Sequence, residues 1–351
     1  MARVHGGVAP AVDVVVIGAG QAGLSAAYWL RRRGLDFVVL DADDAPGGAW
    51  RHRSPSLGVE SLHRIFDLPG MPFTPPPSGP AATVVAGYFR EYERAFDLPV
   101  RRPYPVHEVT RAGGGLRVGE WTAGAVVNAT GTWRSPYVPY YPGIADFRGR
   151  QLHYAAYRGP QEFAGRRVLV VGGGNSAIHV LAELPGAYWV TRREPVFHEG
   201  EFTEDFGRSV VAQVAERVAA GLPPRSVVSV TGLGYTALAK AALARGALVR
   251  HPMFDRLVPG GAVWGDRFEP FDAVIWATGF RADLAHLAPL HLREPGGGIR
   301  MLGTRAAREP RLHLIGYGPS ASTVGANRAG RDAVRSIVAG GMLNPVERAA
   351  H

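Results

Sequence analysis

At 351 residues, with 46% apolar side chains and a formal net charge of +9, the chain is long enough to bury the cores of two compact domains. It contains no cysteine, which excludes disulfides, thiolate metal sites and any electron path through a protein dithiol. The positive balance is a bias toward arginine rather than a nucleic-acid footprint: Lys240 is the only lysine, the arginines are scattered, and no basic helix is present.

The N-terminal residues lack the charged start, apolar centre and small-residue cleavage pattern of a signal peptide. The most apolar windows are interrupted by glycine and glutamine, so no membrane span is expected and a cytoplasmic location follows by default. In chain order, "DVVVI" reads as a β-branched strand, "GAGQAG" as a turn, "LSAAYWLRRR" as a helix and "DFVVLDA" as a second strand, a βαβ opening. A proline-rich stretch, 69–80, precedes a helix whose apolar positions Val85, Phe89, Tyr92 and Phe96 recur at helical spacing. Three short strands at 106–111, 116–120 and 125–129 then read as an antiparallel meander with glycine turns.

From Arg166 the opening pattern returns: "RRVLVV" as strand, "GGGNSA" as turn, "IHVLAEL" as helix, "AYWVT" as strand. A mostly helical region spans 203–246, "DAVIWATGF" supplies another strand, and "RLHLIGYG" leads into a terminal helix at about 325–339. The fold class expected is α/β with two Rossmann-like dinucleotide-binding domains.

In the first turn Gly18, Gly20 and Gly23 fit Gly-x-Gly-x-x-Gly: one glycine for the tight turn, one for close approach of a pyrophosphate, one for helix packing. Asp41 ends the next strand, where a carboxylate accepts the hydroxyls of an adenosine ribose. In the second turn Gly172, Gly174 and Ala177 fit the alanine variant, and the following strand ends in Arg192 and Arg193 rather than an acid. Guanidinium groups there suit a 2′-phosphate, so the pair of sites points to FAD first and NADPH second.

With those residues in place the chain resembles the class B flavin-dependent monooxygenases, and looks most like their short bacterial flavin-containing members. Phe147, Gly149, His153 and Tyr157 fall on the fingerprint Phe-x-Gly-x-x-x-His-x-x-x-aromatic; "GGAW" (47–50) looks like Gly-Gly-x-Trp, and "NATGT" and "WATGF" like the two crossover segments. The resemblance implies an NADPH domain inserted in the FAD domain, with boundaries at 1–150, 151–280 (helical insertion about 203–246) and 281–351. It implies cofactor contacts at Gly18, Gly20, Gln21, Ala22, Gly23, Asp41, Ala42, Gly48, Trp50, Val106, Thr130, Gly131, Tyr157, Gly172, Gly174, Asn175, Ser176, Ala177, Arg192, Arg193, Thr278, Gly279, Gly318 and Thr323. The implied activity is reduction of flavin by NADPH, a C4a peroxide formed with O₂, and oxygen transfer to a sulfide, an amine or a ketone. On this reading His153 and the fingerprint aromatics serve as a linker between domains.

One departure concerns the segment after Gly-Gly-x-Trp, where many members carry an asparagine beside the flavin; none occurs between Trp50 and Gly70, and His63, with Glu60 as the second candidate, is the substitute expected near the reacting atoms. "HEGE" at His198 lacks the second histidine of a zinc helix, so no metal is expected, and the glycine runs at Gly113 and Gly296 read as hairpin turns. Without cysteine a dithiol reductase is excluded, while an NADPH-dependent flavin reductase or oxidase and a non-catalytic nucleotide-binding protein stay open. Partners are expected to be a small substrate and O₂, with no nucleic acid or membrane; a homodimer is left open.

Overall fold

The structure is a computed structural model and describes residues 10–62, 67–198, 204–225, 232–321 and 323–342. The first unit runs β1 (Ala11–Ile17), α1 (Gln21–Arg32), β2 (Phe37–Leu40), α2 (Ala81–Ala95), β3 (Val100–Arg101), the hairpin β4 (Val109–Ala112) and β5 (Gly115–Val118), and β6 (Trp121–Asn128). The second contains β7 (Arg150–His153), β8 (Val168–Val171), α3 (Asn175–Glu183), β9 (Tyr188–Thr191), β10 (Phe197–His198), α4 (Glu204–Ala219), β11 (Leu233–Gly234), α5 (Ala237–Ala244) and β12 (Arg250–Pro252). It ends with the meander β13 (Arg256–Val258), β14 (Gly261–Trp264), β15 (Arg267–Pro270) and then β16 (Ala273–Trp276). The chain closes with β17 (Met301–Leu302), β18 (Arg305–Ala306), β19 (Glu309–Leu314) and α6 (Thr323–Ala339).

The first sheet has the order β17-β18-β19-β6-β1-β2-β3, with β4 and β5 attached through β6. From β19 to β3 the neighbours are parallel. Alternation along β1 explains why both faces are covered. Val14 and Val16 join the cluster under α1, α2 and α6, while Val15 and Ile17 join the one under the hairpin and β19. The second sheet, β12-β9-β8-β16-β7, is parallel throughout. Val168 and Val170 pack with α3 and α5, and Leu169 and Val171 pack with Phe147 and the β13–β15 side.

The chain therefore leaves the first sheet after β6, builds the second, and returns, because β19 pairs parallel with β6. The expected strand at 125–129 is the second half of a longer element. β6 starts at Trp121, pairs antiparallel with β5 and then parallel with β1, so one strand serves both hairpin and central sheet. The β13–β15 meander and the closing strands β17 and β18 were not anticipated; strands of two to four residues carry too little periodicity to read. Among the described residues no helix is long and apolar enough to cross a membrane.

Candidate functional site

The two glycine turns are built alike. Gly18 N–H donates to Leu40 O at 2.8 Å, and Ala129 N–H donates to Ile17 O at 2.8 Å; in the second unit Gly172 N–H donates to Val190 O at 3.0 Å and Ala277 N–H to Val171 O at 2.8 Å. Gly18 lies at φ +98° and Gly172 at φ +139°, and a Cβ on either would press on the crossover carbonyl of Ala129 or Ala277. A Cβ on Gly23 would fall on the Gly18 carbonyl oxygen. These three glycines are demanded by the protein itself.

Gly20 and Gly174 are different. Both have ordinary negative φ, as the N-terminal flanking residues of α1 and α3. Among the described residues a Cβ on Gly20 would meet Gly48 Cα at 4.0 Å and no nearer atom, and one on Gly174 would meet nothing within 4 Å. Neither helix start has a side-chain cap or an acidic residue in its first turn. Glycine at each of these positions leaves room beside the helix N-terminus, which fits a pyrophosphate at each turn.

Around the first turn the fold collects several of the residues expected from sequence. Gly48, at φ +49°, lies so close to Gly20 that a Cβ there would sit 2.7 Å from Gly20 Cα. Gln21 Nε2 donates to Asn327 Oδ1 at 3.4 Å and Ser25 Oγ to Asn327 O at 2.9 Å, so α6 is held against the start of α1. Ala22 Cβ and Gly131 Cα both lie 3.9 Å from where a Cβ on Gly316 would be. Asp41 is 7% exposed just after β2, followed by half-buried Ala42, and half-buried Val106 packs on the cluster under the hairpin and β19. Gly318, at φ +58°, is covered by Val218 of α4. Thr323 begins α6. His63 lies outside the described residues.

Thr130 and Thr278, expected at the cofactors, use their hydroxyls on the backbone: Thr130 Oγ1 donates to Asp283 O at 2.6 Å and Thr278 Oγ1 to Tyr137 O at 2.5 Å. Their side chains thus fasten the two crossovers, and the adjoining Gly131 and Gly279, at φ +64° and +84°, open the backbone. Tyr157, also expected among the contacts, is fully buried and its hydroxyl donates to Glu183 Oε2 at 2.7 Å. It offers no surface to a ligand; sequence pattern located it but not its direction.

The rest of the fingerprint is also packing. Phe147 is buried in the second sheet's core, and a Cβ on Gly149 would strike the Phe147 ring and Asp272 O. His153 Nδ1 accepts from Ala155 N–H at 3.1 Å, which leaves Nε2 protonated to donate to Gly279 O at 2.8 Å. Burial holds its pKa below the usual imidazole value, only partly offset by the Gly279 bond.

A buried polar chain joins the units: Tyr154 Oη donates to His179 Nδ1 at 2.9 Å, and His179 Nε2 donates to Glu183 Oε1 at 3.1 Å. Ser56 Oγ of the first unit donates to Glu183 Oε2 at 3.1 Å. Burial raises the Glu183 carboxyl, but the bonds from His179, Tyr157 and Ser56 outweigh it and hold the group below its ordinary value. Arg53 lies over Trp133 at 4.4 Å and Trp50 at 5.4 Å, and burial lowers its pKa, partly offset by Tyr154. The contacts of Ser56 with Glu183, 127 positions apart, and of Arg53 with Trp133 are signalled by no local sequence spacing.

At the second turn Asn175, Ser176 and Ala177 form the first turn of α3. Arg192 and Arg193 are exposed beyond β9, where their guanidinium groups are accessible to an anion. A third cation escaped the sequence reading. Arg250 on β12 donates from Nε to Thr191 Oγ1 at 3.0 Å and from Nη2 to Thr191 O at 3.1 Å, which anchors it at the end of β9.

Comparison with known proteins follows the same outline. A family model described as "Pyridine nucleotide-disulphide oxidoreductase" matches residues 15–223. A solved flavin-containing monooxygenase from Stenotrophomonas maltophilia is 40% identical, superposes with a TM-score of 0.80, and the match covers 94% of this chain and 99% of that one. "Uncharacterized oxidoreductase CzcO-like" of Geobacillus kaustophilus is 33% identical over 178 residues, 49% of this chain and 51% of its own. A Baeyer-Villiger monooxygenase of Streptomyces coelicolor is 34% identical over 187 residues, 49% of this chain and 36% of its own. The chain thus spans about half the length, or less, of these curated relatives.

Proposed function

The chain belongs to the pyridine nucleotide-disulphide oxidoreductase family and, within it, to the flavin-containing monooxygenases, and from that premise we propose that it is an NADPH-dependent FAD monooxygenase acting on a small nucleophilic substrate. The observation that carries this is the pair of matched turns, in which, among the described residues, nothing comes closer than 4.0 Å to a Cβ placed on Gly20 or Gly174. FAD would lie on the first turn, with its adenosine ribose at Asp41 and its pyrophosphate at Gly20 and Gln21; NADPH would lie on the second, with Arg192 and Arg193 at a 2′-phosphate. Bound there, FAD would supply two-electron redox chemistry between NADPH and O₂, by which one oxygen atom would enter the substrate and the other be reduced to water. The protein binds and orients the two dinucleotides and excludes water, with Thr130, Thr278 and His153 holding the crossovers that run between them. A sulfide or amine is the substrate class proposed, with a ketone as the third candidate.

The test is product balance. Purified protein should be yellow, oxidise NADPH, and consume O₂ with equivalent oxygenated product from a panel of sulfides, tertiary amines and cyclic ketones. NADPH oxidation that yields hydrogen peroxide with every substrate would replace monooxygenation by a flavin oxidase, the second reading favoured by the missing asparagine between Trp50 and Gly70. His63 bears on the choice: His63→Ala should increase hydrogen peroxide release per NADPH at least about twofold if it lines the reacting centre. Unchanged coupling removes it.

A further inference from the structure

Asp41 is gripped on three sides. Arg102 Nε donates to Asp41 Oδ2 at 2.7 Å, and the same guanidinium takes both oxygens of Glu93 at 2.6 and 2.7 Å through Nη1 and Nη2. The Asp41 backbone is held by the same segment, its N–H on Arg101 O at 3.0 Å and its carbonyl accepting from Tyr104 N–H at 2.7 Å. The three side chains are 10–11% exposed. They come from the end of β2, the last turn of α2 and the end of β3, so three elements converge on one guanidinium.

Burying two carboxylates is costly unless a cation neutralises them, and Arg102 does this with a planar fork that a lysine cannot reproduce. Burial pulls the Arg102 pKa down, but the Glu93 and Asp41 carboxylates outweigh it and raise it above its ordinary value. The cluster still carries a net charge of −1: two carboxylates against one guanidinium. Since Arg102 engages Oδ2, Oδ1 is the oxygen left to a donor from a ligand.

We propose that Arg102 is the positioning residue of the adenosine-ribose site, with Glu93 as its anchor: it fixes the Asp41 carboxylate in one orientation and leaves a surplus negative charge there that favours a free ribose diol over a 2′-phosphate. The inference rests on the reading of the first turn as the FAD site. It explains in this chain's own residues how two similar turns would keep FAD and NADPH apart: one strand end is a net anion, the other a pair of exposed guanidinium groups.

The experiment titrates full-length protein, stripped of flavin, with FAD and with FMN, which lacks the adenosine. Arg102→Gln should raise the Kd for FAD about ten- to a hundredfold, the range seen when an outer partner of a ligand-binding group is lost, and change that for FMN less than about twofold. Arg102→Lys should recover only part of the loss. Should Arg102→Gln fail to fold because Glu93 is stranded, the double variant Glu93→Gln/Arg102→Gln removes that charge and reports the same FAD-to-FMN ratio. An unchanged ratio in the folded single or double variant overturns the proposal. Asp41→Asn separates the two levels: FAD affinity unaffected there removes the ribose reading itself, whereas a loss there without one in Arg102→Gln removes the role of Arg102 alone.

Discussion

The two dinucleotide units repeat one backbone plan and part at two places. The first is the third position of the glycine turn. Gly23 sits so tightly under the Gly18 carbonyl that it has no room for a Cβ, whereas Ala177 carries one in the corresponding place and is fully buried. Helix α1 is pressed between the sheet and α6, close enough that a Cβ on Gly330 would meet Ser25 Oγ at 2.6 Å; α3 packs against α5 through alanines and needs no such concession. The second is the end of the next strand, where the first unit buries a carboxylate held by Arg102 and the second exposes arginines. A glycine or an alanine at the third position therefore records how tightly a helix is wedged, while ligand chemistry is decided at the strand end.

The sharpest way to break the comparison is to fill the glycines the backbone needs. Gly23→Ala and Gly172→Ala each drive a methyl into a carbonyl, and each should cost at least about 3 kcal/mol, seen as a large fall in thermal midpoint or as insoluble protein. Wild-type stability in either variant would show that the turns are laxer than described. Gly20→Ala and Gly174→Ala should behave oppositely, folding with a midpoint within a few degrees of wild type because no atom crowds the new methyl. The losses should fall on one ligand at a time: about tenfold or more in FAD affinity for Gly20→Ala, and in the Michaelis constant for NADPH for Gly174→Ala. A loss shared equally between the two ligands would erase the division between the units.

Arginine replacement sharpens the second difference. Arg192→Ala combined with Arg193→Ala should raise the Michaelis constant for NADPH about ten- to a hundredfold, the worth of one or two charge-assisted hydrogen bonds, and leave NADH nearly unaffected. Equal effects on both nucleotides would sink the assignment. Arg250, pinned by Thr191, supplies a residual cation in that variant, so some NADPH preference should survive.

Both βαβ units were legible because each depends on signals within about 30 residues: a β-branched run, a glycine turn, a helical period and a second run. The motif positions, Gly18, Gly20 and Gly23 in the first turn and Gly172, Gly174 and Ala177 in the second, could be named for the same reason. What escaped was nonlocal. Nothing near Asp41 indicates that Arg102, 61 positions on, will occupy one of its oxygens, nor that Tyr157 will point at Glu183 instead of outward. Thr130 and Thr278 were placed correctly on the crossovers, but whether a hydroxyl turns to a ligand or to a carbonyl depends on a chain segment over a hundred residues away.

Acid should test the units to unequal degrees, with the smallest effect of the series. The first unit buries His313 on β19, whose pKa burial pushes down to about 4, helped by the Arg305 charge, and His286, also lowered by burial and hydrogen-bonded to Asn128 at 2.6 Å. A histidine depressed in the folded state is neutral there while the unfolded chain takes up a proton below about 6.5, so stability is intact above that pH and falls as pH drops through the window down to about 4. At pH 5.5 His313 alone should cost about 1 kcal/mol relative to pH 7.5. His153, at the end of β7, adds in the same direction. Denaturant midpoints at the two pH values check this. His313→Gln should be less stable than wild type at pH 7.5, where its bond with Thr304 Oγ1 is lost, yet lose less between the two pH values. If the variant falls as steeply as wild type, the acid sensitivity belongs to other groups, and the first unit has no special share in it.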